Sequence, residues 1–479
     1  MILTRFSMER TDKFWILILV LLTIALRLVF AFSVEEVWWD SGVYIGMGKY
    51  LFSGGESGLW EHIRPLLVPV FLGAFWKAGF DPVLFGRFFE ILLMGGVVVL
   101  TYLFARVWFS SRVAAIAALI VSSSPIFFHL SFHQYTEIPS VFFVLLSLLL
   151  YARSRPALSG FFASLAFLSK FPAGIVLPIV LVAAVFERRW KDIPFIVAGF
   201  VPLSLAYFVW SWIAYSSPFA TLFSAREAIG RALGCNVLRY RPWWHYGYLL
   251  VFSESKLHFA SLIGATVLYF RRRRSYVLLL LYAVLPIVYF MQLHCRDYRY
   301  LTLSIPAFAI LTALGVVWLF ELLVGLKRPG LQRVLFGAVF VLIAVWLSHT
   351  AIRFHLANAN APSIAEREYF SFVDQVPAGE VWVANPVISA YSDRLLNKIY
   401  YPIYDKGVAL SFSDYLGKNR GRISAVFLDN CGGGIICPPG DFVCDERTES
   451  LMGFLDNNFR RVFDKSSGRC WYRVWVSAS

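Results

Sequence analysis

Pro65-Leu-Leu-Val-Pro-Val-Phe-Leu-Gly-Ala-Phe-Trp-Lys-Ala-Gly-Phe80 is the stretch on which the architecture of this chain turns. It is apolar enough to insert into a bilayer, and counting it as a full crossing reverses the orientation of every loop after it. Scanning for runs of about 20 apolar residues places eleven spans around it, near 14–33, 88–107, 113–129, 139–152, 157–169, 171–187, 193–215, 246–270, 275–293, 301–324 and 334–352. With Pro65–Phe80 lying at or re-entering the outer surface, the short loops on one side hold Arg5, Arg10, Lys13, Arg106, Arg112, Arg153, Arg155, Arg188, Arg189, Lys191, Arg271 to Arg274, Lys327, Arg328 and Arg333. Such loops mark the cytoplasmic side, so the expected N-terminus is cytoplasmic and the segment after residue 354 extracytoplasmic.

This placement also accounts for the charge. The formal net charge is +14, yet 58% of the 479 residues are apolar and 15% charged, which excludes an ordinary soluble enzyme. The four-arginine run reads as an orientation signal, and no nucleic-acid partner is expected. Phe14–Ser33 follows basic residues like a signal peptide, but it is longer than the usual apolar region of about 7–15 residues and lacks a small-residue cleavage site, so an uncleaved first span is expected. The expected fold is an α-helical polytopic membrane domain over 1–354, in the cell membrane, with a small extracytoplasmic α/β domain over 355–479.

Within the tail, 381–384, 399–402, 425–428 and 471–476 read as short strands, and 363–375 and 449–459 as helices. Cys431, Cys437, Cys444 and Cys470 lie there, where an oxidising exterior allows two disulfides; the spacing lacks the C-x-x-C pair of many zinc sites. Cys235 and Cys295 fall on outer loops.

Chemically distinctive residues gather on the outer side. The first outer loop runs Glu35-Glu36-Val-Trp-Trp-Asp40-Ser-Gly-Val-Tyr44 and continues through Trp60-Glu-His-Ile-Arg64-Pro65. Paired tryptophans at an interface read as belt anchors, whereas Asp40 beside a bilayer is costly without a partner or a task. His129-Leu-Ser-Phe-His133-Gln-Tyr-Thr-Glu137-Ile-Pro139 supplies a second carboxylate, and Thr136 as N-cap with Pro139 in the first turn is its structural alternative. His294-Cys-Arg296-Asp297-Tyr-Arg299-Tyr300 collects cations where cations should be scarce, so it reads either as an anion site or as an Arg–Asp surface network. Lys170, in a turn, either snorkels to headgroups or holds a phosphate. Arg239 and Arg241 sit among aromatics in the longest outer loop, a pattern that suits a phosphate with an apolar tail or an amphipathic helix on anionic lipid. G-x-x-x-x-G-K-[ST], G-x-G-x-x-G after a strand and H-E-x-x-H are all absent, which argues against a nucleotide or zinc-protease site.

Taken in order, Asp40, the Arg64-Pro65 step, the Glu137 loop, Leu165-Ala-Phe-Leu-Ser-Lys170-Phe-Pro-Ala-Gly174 and Arg299-Tyr300-Leu301 with Pro306 resemble the GT-C superfamily of glycosyltransferases, which includes protein O-mannosyltransferases and the lipid A aminoarabinose transferase. The resemblance runs over most of 14–324, and the tail is similar to the small outer domain of many members. Where members often carry Asp-Glu in the first loop, this chain has Asp40-Ser41, and the second acidic residue is Glu137 where Asp is usual. The resemblance implies transfer, with inversion, of a sugar such as mannose from a polyprenyl or dolichyl phosphate to a lipid, glycan or protein. Asp40 is the implied general base and Glu137 a second catalytic candidate. Arg64, His133, Lys170, Arg239, Arg241, His294, Arg296, Arg299 and Tyr300 are the substrate and phosphate candidates. No cofactor is required; a divalent metal belongs to an oligosaccharide-transferring relative. The competing class is a polyprenyl-phosphate-sugar flippase, for which repeated halves and midplane polar groups are expected.

Overall fold

The computed structural model describes residues 9–231, 241–271, 276–293, 296–324, 329–399, 406–431, 437, 440 and 442–477. Five helices among them are long and apolar enough to cross a bilayer: α1 (Arg10–Ala31), α4 (Pro82–Ala105), α10 (Ile193–Tyr215, preceded by a short 3-10 turn), Ile305–Val324 and Pro329–Asn358. Shorter apolar helices stand with them, including α5 (Ser111–Ser122), α7 (Glu137–Ala152), α8 (Pro156–Ser169), α9 (Val176–Phe186) and Tyr276–Met291. The chain is therefore a multi-pass helical membrane protein. Two helices of the segment between α1 and α4, α2 (Trp39–Ser53) and α3 (Leu67–Lys77), stand beside them. At 1.5 Å per residue the eleven residues of α3 span about 16 Å, short of a hydrocarbon core of about 30 Å.

Several apolar runs read as single spans are broken. The run 113–129 divides after α5, because Ser124 caps a new helix, α6 (Pro125–Leu130), with its hydroxyl accepting from the Phe127 amide and Pro125 offering no donor. The run 246–270 opens as a short helix and a π turn (Leu249–Glu254), breaks at extended Ser255, and resumes through a 3-10 turn into the helix Ala260–Arg271. Glu254 is turned away to accept from the Ile126 amide at 3.0 Å, satisfying the start of α6.

The tail forms a five-stranded sheet of order β2-β1-β3-β5-β4, from β1 (Glu380–Val383), β2 (Leu396–Lys398), β3 (Ile423–Asp429), β4 (Phe459–Ser467) and β5 (Cys470–Ser477). The first three strands are parallel; β5 runs antiparallel to β3 and β4. The expected strand at 399–402 lies at 396–398 instead, and 400–402 fall outside the described residues. Strand β4 escapes a hydropathy reading because Arg460, Arg461, Asp464 and Lys465 are exposed along it, the charges that protect an edge. Two disulfides, Cys431–Cys470 and Cys437–Cys444, staple the domain; Cys235 and Cys295 lie outside the described residues.

Both faces of the sheet are buried. Val426, Leu428 and Trp475 pack with Leu416 and Leu455 of the helices Lys406–Lys418 and Phe442–Asn458, whereas Val381, Val383 and Phe427 share a core with Val37, Val43 and Met47 around α2. The first loop also joins the sheet edge: Gly58 donates to Arg394 O at 3.0 Å, and Gly58 O accepts from the Leu396 amide at 2.7 Å. A Cβ on Gly42 of α2 would sit 2.7 Å from Pro386 O and Val387 Cα, so the backbones of the two units touch there. Gly42→Val is expected to lower stability by about 1–3 kcal/mol through overpacking, read as a lower thermal-unfolding midpoint in detergent.

Candidate active site

Asp40 occupies the first turn of α2, where the positive end of the helix dipole favours a carboxylate. Its two oxygens are held separately: Arg64 Nη2 donates to Oδ1 at 2.7 Å and Arg299 Nη1 to Oδ2 at 2.6 Å. Burial pushes the Asp40 carboxyl upward, but the two guanidinium groups outweigh it and hold the group well below the ordinary carboxylate range. Arg299 stands in a 3-10 turn (Tyr298–Leu303) that Asp297 opens, accepting from the Arg299 amide at 3.0 Å and lying 3.4 Å from Nε. Tyr44, one turn after Asp40, faces Arg64, whose guanidinium carbon lies 5.5 Å from its ring centre, and Arg299 lies 5.0 Å from that of Tyr135.

A second ion pair adjoins the first. Lys170 sits at the extended end of α8 before a 3-10 turn, and its ammonium donates to Glu137 Oε1 at 2.8 Å while lying 5.0 Å from the ring centre of Tyr300. Thr136 makes no side-chain cap on α7, so Glu137 is an ion-pair partner as well as a first-turn residue. Lys170 is buried against a carboxylate, and the reading in which it snorkels to headgroups does not fit that position.

The remaining candidates divide. His133 is buried in a stack on Trp38, ring centres 4.4 Å apart, and has no direct contact with Asp40. Arg296 spends its guanidinium on the carbonyls of Arg241 and, at 2.9 Å, Met291, and the Arg241 side chain is exposed. Tyr300 lies flat on Phe290 at 4.6 Å, presenting its other surroundings to Lys170. Arg239 and His294 lie outside the described residues. Two participants were not singled out from sequence. Glu61 lies 3.5 Å from Arg64 Nε, and its three-residue spacing from Arg64 was a usable signal. Lys398 lies 3.1 Å from Glu61 and comes from strand β2, with no sequence signal to announce it. Among the described residues no group of three His, Cys, Asp or Glu side chains is placed to hold a metal.

A carboxylate set between guanidiniums, beside a lysine and two tyrosines, can accept a proton and bind an anion at one place. The backbone around it matches solved structures over nearly its whole length. The ArnT of Cupriavidus metallidurans, bound to undecaprenyl phosphate, aligns at TM-score 0.68 and 13% identity, over 98% of both chains. The chain has the GT-C glycosyltransferase fold. The oligosaccharyltransferase AglB of Archaeoglobus fulgidus, in complex with an inhibitory peptide and a dolichol-phosphate, aligns over 97% of this chain and 74% of its own at TM-score 0.62 and 14% identity. The mycobacterial arabinofuranosyltransferase AftD aligns over 99% of this chain and 40% of its own at TM-score 0.59 and 12% identity. Residues 64–212 match the family model for dolichyl-phosphate-mannose-protein mannosyltransferase, a segment that holds Arg64, Glu137 and Lys170. No curated protein matches it.

Because the Asp40 pKa is depressed in the fold, its pairing stabilises the protein above the ordinary carboxylate pKa of about 3.9 and is lost as pH falls through the lower folded value. Arg299→Met removes one guanidinium and raises the folded pKa. Thermal unfolding across pH 3–7 should therefore show the variant losing stability at a higher pH than the wild type.

Proposed function

We propose that this GT-C protein transfers a sugar from a polyprenyl monophosphate to an acceptor hydroxyl on the extracytoplasmic face, with inversion at the anomeric carbon. The observation that carries the proposal is the convergence of Asp40, Arg64, Arg299 and Lys170, from four separated segments, on one cluster. Asp40 takes the acceptor proton as the oxygen attacks, and the departing phosphate monoester gains charge against the cations. Guanidinium groups suit that task because they meet phosphate oxygens in pairs.

The arginines that hold Asp40 are also those suited to the phosphate. A phosphate competing for Arg64 and Arg299 draws them from the carboxylate, and the freed Asp40 oxygen then regains basicity toward the acceptor. Glu137 holds Lys170 in place and is in this reading a partner of the phosphate site before it is a base. The sugar is a hexose such as mannose, in keeping with the family matched over 64–212. ArnT with its undecaprenyl phosphate and AglB with its dolichol-phosphate support a polyprenyl carrier. A lipid, a glycan and a protein all offer the hydroxyl that the chemistry needs.

In proteoliposomes given radiolabelled polyprenyl-phosphate mannose and native membrane extract, label should move to a new acceptor, and Asp40→Asn should reduce the rate at least about 100-fold. Near-wild-type turnover by the variant removes Asp40 as the base. Intact lipid crossing the bilayer without sugar transfer makes the protein a flippase.

A further inference from the structure

The transfer site contains a group from outside the membrane domain. Lys398, the last residue of the sheet-edge strand β2, has a side chain 1% exposed, and so does Glu61, its partner at 3.1 Å. The other Glu61 oxygen faces Arg64 Nε at 3.5 Å, and Arg64 Nη2 reaches Asp40 at 2.7 Å. Lys398 Nζ also lies 4.7 Å from the ring centre of Trp39, the residue before Asp40.

Resting on the glycosyltransfer reading above, we propose that Lys398 is a positioning residue, which occupies Glu61 so that Arg64 stays directed at Asp40 and at the donor phosphate. Glu61 carries one buried negative charge between two cations. With Lys398 on Oε1, Arg64 meets Glu61 only at 3.5 Å and commits its shorter contact to Asp40. Without Lys398, the desolvated carboxylate draws on Arg64 alone of these two, and the guanidinium swings from Asp40 toward Glu61. A displacement of about 1 Å in such a group can cost about 100-fold in rate.

The position of Lys398 is itself fixed by the first loop. Gly58 pairs with the strand edge two residues before it, Ser57 Oγ donates to Asp393 O at 2.5 Å, and Lys49 of α2 donates to Ser392 O at 2.9 Å. The outer domain thus reaches the site by a backbone register as well as by a side chain.

The test uses the full chain in nanodiscs, with undecaprenyl phosphate for binding and polyprenyl-phosphate mannose with native membrane extract for turnover. Lys398→Met is expected to lower kcat per folded molecule about 10- to 100-fold and to weaken undecaprenyl phosphate binding. The double variant Lys398→Met/Glu61→Gln, which removes the competing carboxylate, should recover part of both losses. A merely structural pair would reduce the amount of folded protein and leave kcat per folded molecule unchanged, and that result overturns the proposal. If Lys398→Met does not fold, Lys398→Gln, which removes the charge and keeps a hydrogen-bond donor for Glu61, carries the test, and wild-type kcat and binding in it overturn the proposal. No transfer by the wild-type chain overturns the glycosyltransfer reading instead; unchanged undecaprenyl phosphate binding in the variants then overturns the role of Lys398.

Discussion

A carboxylate drawn out of water is expensive unless its charge is answered nearby, and the structure around Asp40 is arranged to answer it. Arg64 and Arg299 each take one of its oxygens, Asp297 lies against Arg299, and Glu61 lies between Arg64 and Lys398. The series alternates in sign, so each charge inside it lies between opposite ones. Lys398–Glu61 is the fully buried pair of the series, and removing one partner of such a pair costs about 3–5 kcal/mol. The pairs together tie the segment between α1 and α4, the turn before the helix Ile305–Val324 and the edge of the tail sheet into one unit.

The same arrangement carries the proposed chemistry. A base that is fully paired is a weak base, and phosphate-binding arginines engaged with a carboxylate are not idle charges that attract any anion. In the proposed transfer, coupling the two functions through shared guanidinium groups makes the basicity of Asp40 conditional on the donor phosphate. Lys170 and Glu137 extend the cationic side of the site on the face of Tyr300, next to Arg299 in the chain.

The broken helices serve this end of the molecule. Ser124 and Pro125 break the run after α5 so that α6 and the Glu137 loop pack against Trp38, and Glu254 leaves its own helical path to satisfy the start of α6. Trp38 stacks on His133 within that loop, so a residue read from sequence as a belt anchor instead seats the segment leading into Asp40. The buried glycine at 42 lets the outer domain rest directly on α2.

The sequence by itself determined that the chain is a multi-pass membrane protein with a small α/β tail, because hydropathy and strand alternation are local properties that add along the chain. It also singled out Asp40, Arg64, Lys170 and Arg299 as residues out of place in their surroundings. Hydropathy misjudged the runs 113–129 and 246–270, since a serine cap or a diverted glutamate interrupts a helix without changing its apolar average. It passed over β4 for the converse reason: an edge strand is stabilised by its pairing while its exposed residues stay charged. Only the tertiary structure decided that Glu137 meets Lys170, that His133 is packed away from Asp40, and that Lys398 belongs to the cluster. Those pairings join residues far apart in the chain, and a buried charge chooses its partner by distance in space, which the order of residues does not record.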